Sequence, residues 1–246
     1  QATVGRAGSA GPARDLGRPG TLDEDGVSPC QLVRDGDSLL LYYFGWGRAE
    51  GVRYTLLCGL ARSDDGGDTF QRVGTGPVLP GNAEERHVRS AVSVHHEGQV
   101  WRCWYVSARG WIDHAGKQVP TYDIKHVASE DGRSWGEPGE PVLHRKEDEF
   151  GIGRPWVVKG DEYSMFYSIR SARRPYRVGY AESADGLRWR RRDRILQGLE
   201  PSDTGWDSEM VCFAATVACH EERFLFYNGN NYGETGFGVA QLEDDT

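Results

Sequence analysis

Four aromatic segments ending in tyrosine recur along this 246-residue chain at an almost constant interval, and that regularity limits the fold more than any other feature. They are Leu40-Leu41-Tyr42-Tyr43, Arg102-Cys103-Trp104-Tyr105, Ser164-Met165-Phe166-Tyr167 and Phe224-Leu225-Phe226-Tyr227, with terminal tyrosines 62, 62 and 60 residues apart. A shorter apolar segment precedes each one: Gln31 to Val33, Ala91 to Val94, Trp156 to Val158 and Phe213 to Ala218. After the first three comes a Ser-x-Asp-Gly turn followed by an aromatic: Ser63 to Phe70, Ser129 to Trp135 and Ser183 to Trp189. The Asp carboxylate accepts from backbone amides further on and Gly takes the left-handed position, so each turn reads as a hairpin between outer strands.

A unit therefore reads as four antiparallel strands per ~60 residues, which is a propeller blade. The composition agrees, with 33 Gly and 27 aromatic residues (8 Trp, 11 Tyr, 8 Phe) against 2 Met. The expected fold is an all-β, five-bladed β-propeller in which four blade repeats are visible, at about 25–80, 85–145, 149–197 and 207–242, within one domain spanning 1–246. The last unit shows only three strands, and Ala13 to Gly17 resembles the tail that follows a fourth strand. An N-terminal blade is thus expected to be incomplete or missing.

A net charge of −8 argues against nucleic acid as partner, since phosphate binding needs a basic face. The basic run Arg188 to Arg194 reads as a solvated edge strand. Five cysteines without paired spacing read as buried free thiols in a reducing compartment, with Cys212 notable for its acidic surroundings. No membrane span or signal-peptide core is present, so a cytoplasmic protein is expected.

Residues just before each inner strand of a propeller converge on one channel mouth. Counting back 18 residues from the marker tyrosines gives Asp25, His87, Glu149 and Glu209; counting back 20 gives Asp23, Glu85, Glu147 and Asp207. With Arg89, Arg154 and the tryptophans Trp46, Trp111, Trp156 and Trp206, these describe a polyol site in which charged groups bond hydroxyls and indoles stack on sugar rings. Asn228 and Asn230 read either as hydroxyl contacts or as turn residues. His87 reads as a hydroxyl donor, a metal-associated group or a packed histidine. Paired carboxylates are the minimum apparatus for glycosidic cleavage. No metal motif, phosphate loop or serine elbow is present, so no cofactor and no metal are expected.

Gly153-Arg154-Pro155, Gly205-Trp206-Asp207-Ser208-Glu209-Met210, Leu225 to Asn230 and Gly236-Phe237-Gly238 resemble bacterial five-bladed propellers related to glycoside hydrolase families 43 and 130. The likeness runs from about Asp15 to Leu242. It implies Asp25 as base and Glu149 as acid, with Asp207 or Glu209 supporting, although His87-Val88-Arg89-Ser90 stands where an Asp is expected. The implied function is cleavage or transfer of a glycosidic bond. Alternatives are a biosynthetic tailoring enzyme on a glycosylated intermediate and a non-catalytic carbohydrate-binding propeller.

Overall fold

The computed structural model describes residues 16–135, 139–196 and 198–243, and within them the chain is almost entirely strand. The Ala13–Asp15 part of the expected tail lies outside the described residues. The first unit contains β1 (Gly26–Asp35), β2 (Ser38–Ala49), β3 (Val52–Ser63) and β4 (Gln71–Arg72). The second contains β5 (Val88–Glu97), β6 (Val100–His114), β7 (Lys117–Ser129) and β8 (Glu140–Leu143). The third contains β9 (Glu149–Lys159), β10 (Tyr163–Ser171), β11 (Arg177–Ser183) and β12 (Arg190–Arg191). The fourth has three strands, β13 (Cys212–Cys219), β14 (Glu222–Asn228) and β15 (Phe237–Leu242).

Strands pair antiparallel within each unit, and parallel contacts of β3 with β5 and of β7 with β9 link the first three units into one sheet. The fourth is a separate sheet, packed through Val211, Ala214 and Leu225 against Phe166 and Val178. Two further clusters fill the other junctions, with Tyr42, Leu60, Val94 and Tyr105 between units one and two, and Trp104, Ile152 and Met165 between units two and three. The apolar core thus sits between successive blades, as a propeller requires. The described residues show the four expected blade units, and among them no strand pairing joins the fourth unit to the first. No helix among them is long and apolar enough to cross a membrane.

The Asp-Gly turns form as their chemistry dictates. Asp131 accepts from the backbone amides of Arg133 (2.8 Å) and Ser134 (2.7 Å), and Asp185 from those of Leu187 (2.9 Å) and Arg188 (2.8 Å). Those amides hold both carboxyls down at about 2. Gly132 (φ 67°) and Gly186 (φ 72°) take the left-handed position. Each of these turns is also locked to the preceding unit. The Tyr42 hydroxyl donates to the Gly132 carbonyl (2.7 Å), and the Trp104 indole N–H donates to that of Gly186 (2.7 Å).

The marker tyrosines coincide with a bulge in every inner strand. Tyr105, Tyr167 and Tyr227 each face two residues of the neighbouring inner strand, Ala91-Val92, Arg154-Pro155 and Phe213-Ala214; in the first unit Cys30 is the extra residue beside Tyr43. Ala91, Arg154 and Phe213 have φ of 47°, 54° and 58°, left-handed conformations that cost non-glycine residues ~1–3 kcal/mol each. Bulges bend a strand and re-aim its side chains. Here they turn Arg154 and Phe213 toward each other from adjacent inner strands.

The basic run is only partly a solvated edge. Arg188 and Arg190 are exposed, but Arg191 is turned inward and buried by ion pairs, because a carboxylate at the opposite margin of the same blade draws it in.

Candidate active site

Antiparallel topology puts the start of each inner strand at the same end of the molecule as the β2–β3, β6–β7, β10–β11 and β14–β15 hairpins. At this mouth, aromatic and guanidinium groups from all four units form a closed circuit. Phe44 touches Trp46 (ring centroids 6.0 Å apart), and Trp46 meets Tyr54 edge-on (5.1 Å). Tyr54 and Tyr122 share a hydroxyl–hydroxyl bond of 3.1 Å, and Arg170 lies 5.0 Å from the Tyr122 ring and 5.9 Å from that of Tyr176. Tyr176 packs edge-on against Tyr232 (5.7 Å), which stacks on Phe213 (5.7 Å, 16° between planes). Arg154 returns the circuit to its start, lying 5.3 Å from the Phe213 ring and 5.7 Å from that of Phe44. Trp111 flanks Tyr54, and Phe150 flanks Arg170.

Several of these rings, including Trp46, Tyr54, Tyr176 and Tyr232, keep surface open to solvent. Burial pushes the hydroxyls of Tyr122 and Tyr176 well above their ordinary range, so both are neutral donors. Arg154 also donates to the Pro29 carbonyl (2.7 Å), bridging the third unit to the first. Its charge acts on the thiols of Cys30 and Cys212, but burial dominates in both and drives Cys212 up to about 12.

Of the four carboxylates expected in catalytic roles, Asp25 and Glu209 are exposed beside this circuit, while Glu147, from the alternative count, is exposed ahead of β9. The Asp25 amide is anchored on the Trp46 carbonyl (3.2 Å), and its carboxylate meets Arg48 (2.9 Å) in a recess of about 330 Å³. The Glu209 amide is anchored on the Asn230 side chain (2.7 Å), in the loop that carries Tyr232. The other two are buried. Glu149 is gripped by Arg191 through both oxygens, and Asp207 lies beside Tyr227 with no hydrogen bond to its carboxylate among the described residues.

Buried acids form an ion-paired staple in each of the first three blades. Asp23 pairs with Arg72 of β4 (2.9 Å), as Glu149 pairs with Arg191 of β12. Glu85 pairs with Lys125 (3.0 Å) and Arg89, accepts from Tyr105, and receives a very short bond from Ser107. Burial opposes its charge, but Ser107, Lys125 and Arg89 outweigh it and hold the carboxyl low. Asp207 precedes the inner strand of the fourth unit, which has three strands among the described residues.

The expected substrate contacts divide in the same way. Trp46 and Arg154 lie in the circuit. His87 is half-buried ahead of β5, its titration lowered by burial and by Arg86. Arg89 is wholly enclosed with Glu85. Trp206 stacks on Tyr227, Asn228 bonds the Tyr232 carbonyl, and Asn230 holds the 205–210 loop by its Oδ1 and Nδ2 atoms. Trp156 points to the opposite end, bonding Thr216 and lining a cavity of about 950 Å³ between units three and four.

No family model matches the chain. It is 34% identical over 238 residues to "Uncharacterized protein Rv1502" of Mycobacterium tuberculosis strain H37Rv, an alignment covering 95% of this chain and 78% of that protein. The chain belongs to the Rv1502 family. A second member, protein MT1551 of M. tuberculosis strain CDC 1551, matches with the same identity and coverage. Among solved structures, a glycoside hydrolase superposes with a TM-score of 0.70 at 19% identity, covering 93% of this chain and 72% of its own. A thermostable family-43 glycoside hydrolase gives 0.68 at 16% identity, covering 89% and 72%. The β-1,2-mannobiose phosphorylase of Listeria innocua gives 0.66 at 16% identity, covering 90% and 59%. At these identities the likeness shows the scaffold of the Rv1502 family, a propeller shared with carbohydrate-active enzymes.

Counting from the marker tyrosines does not reach Tyr54, Tyr122, Arg170, Tyr176, Phe213 or Tyr232, most of which sit at hairpin ends of varying length. The one local signal is Arg170-Ser171-Ala172-Arg173-Arg174-Pro175-Tyr176-Arg177, four arginines without an acid in a chain of net negative charge.

Proposed function

We propose that this protein is a carbohydrate-active enzyme that cleaves or transfers a glycosidic bond at the hairpin-end mouth. The observation that carries the reading is the closed circuit of rings and guanidinium groups with Asp25 and Glu209 beside it. Partly exposed rings offer stacking faces to a pyranose, and neutral tyrosine hydroxyls and arginines bond its hydroxyls. Asp25 takes the base role. The acid role falls to Glu149 on the family 43 pattern, with Asp207 and Glu209 supporting, and the pairing of Glu149 with Arg191 must open for that role to be filled.

The test is turnover on a panel of aryl glycosides and glycosyl phosphates by the wild type and by Asp25→Asn, Glu149→Gln, Asp207→Asn and Glu209→Gln. Loss of kcat by about two orders of magnitude or more in Asp25→Asn and in at least one other folded variant supports the reading. Product formation at wild-type rate in all four removes it. Sugar affinity without any turnover would instead identify a binding propeller.

A further inference from the structure

The mouth carries more positive charge than a neutral sugar requires. Arg170 lies against three rings, those of Phe150, Tyr122 and Tyr176, at 4.8, 5.0 and 5.9 Å. Arg154 lies against Phe44 and Phe213, with one N–H on the Pro29 carbonyl. Among the described residues, neither forms an ion pair with a carboxylate, in a protein with 37 acidic side chains and 29 basic ones. Arg173 and Arg174 are exposed on the same hairpin as Arg170. Arg177, which ends that hairpin, already has a counter-charge in Glu149 (3.5 Å), although its buried Nη1 lacks a hydrogen-bond partner. Arg170 and Arg154 are half-buried and packed on rings rather than on carboxylates, so an arriving counter-charge is favoured there.

We propose that this site selects a sugar bearing a carboxylate, a glycuronic acid residue, held by Arg170 and Arg154. The inference rests on the reading of the mouth as a sugar site and adds the substrate class. Rings packed against a guanidinium cover its faces and leave the in-plane N–H edge, which matches the two coplanar oxygens of a carboxylate. The same rings supply the apolar wall for the pyranose that carries it. The protein's overall negative charge works against indiscriminate anion capture, so an acidic sugar must be bound by this local cluster.

The experiment is calorimetric titration of the full chain with methyl glycuronides of gluco, galacto and manno configuration, each paired with its neutral methyl glycoside, and with glucose 6-phosphate. At least one glycuronide is expected to bind about tenfold or more tightly than its neutral parent at low salt, as charge-assisted hydrogen bonds of this kind provide. High salt is expected to shrink that ratio. Arg170→Gln and Arg154→Gln should each narrow it, with folding checked by near-ultraviolet dichroism, while Arg188→Gln, on an outer turn, should leave it unchanged. Equal affinity within every pair overturns this inference and leaves the sugar site standing. Tighter binding of glucose 6-phosphate than of any glycuronide overturns the carboxylate assignment. No binding of any sugar overturns both readings together.

Discussion

Arg191 closes on Glu149 with two hydrogen bonds of 2.8 Å each, joining the outermost strand of the third blade to the first residue of its innermost strand. Both side chains are nearly excluded from water, at 10% and 1% exposure. Removing Arg191 leaves the buried Glu149 carboxylate with only the longer contact to Arg177 (3.5 Å). Arg191→Met is therefore expected to lower unfolding free energy by about 2–3 kcal/mol, the remaining Arg177 contact offsetting part of the loss. Glu149→Gln, which keeps shape and part of the hydrogen bonding, should cost less. Urea unfolding of the two variants checks the order, and equal losses would contradict it.

The inter-blade locks predict a graded response. Tyr42→Phe removes one buried hydrogen bond to the Gly132 carbonyl and should cost about 1 kcal/mol. Gly132→Ala is worse on two counts. Its φ of 67° disfavours a side chain, and a Cβ there would fall 2.7 Å from the Trp101 ring. Its loss of stability should exceed that of Tyr42→Phe, as read from the midpoint and slope of the same transition.

His126 gives a pH dependence with a definite sign. Burial, helped by the charge of Arg102, lowers its titration from 6.5 to about 4, and its neutral Nε2 accepts a hydrogen bond from Arg102 (3.3 Å). Below pH 6.5 the unfolded chain takes up a proton that the folded chain refuses until about pH 4, so stability falls across that window as pH drops. The full effect is on the order of 3 kcal/mol. His126→Gln should flatten this acid limb relative to wild type when unfolding is measured at a series of pH values.

Thiol accessibility checks the packing of the inner strands. Cys30, Cys58, Cys103 and Cys212 are buried, and Cys219 is exposed at the β13–β14 hairpin. A maleimide or disulfide reagent should label one thiol quickly in the native protein and all five after denaturation. Fast labelling of Cys212 would mean that the bulge beside Phe213 is not closed.

Much of the fold was legible because it repeats. The tyrosine interval located the second strand of each blade, and the Asp-Gly turns located three of the hairpins, since both depend on local chemistry that returns once per blade. What the interval did not reveal is why tyrosine is there, namely to sit opposite an inner-strand bulge. The site was harder to read for a related reason. Acids preceding the inner strands look alike in sequence, yet Asp25 and Glu209 face solvent while Glu149 and Asp207 turn inward. The spacing does not decide between mouth and staple, since Asp25, Glu149 and Glu209 share it and only Glu149 turns inward. The circuit residues lie up to 188 positions apart, from Phe44 to Tyr232. No local pattern connects them until the blades are stacked.

The locks between blades also impose an order in time. The acceptor for the Tyr42 hydroxyl lies 90 residues further along the chain, and that for the Trp104 indole lies 82 residues further. At translation rates of ~5–20 residues per second, a newly made blade waits on the order of ten seconds for the turn that fastens it. During that wait its second strand holds an aromatic donor with nothing yet to receive it. A ribosome-bound fragment ending within the second blade should thus be more open to proteolysis at β2 than one extended past Gly132. The chain assembles like a row of clasps, each fastened only by the part that follows.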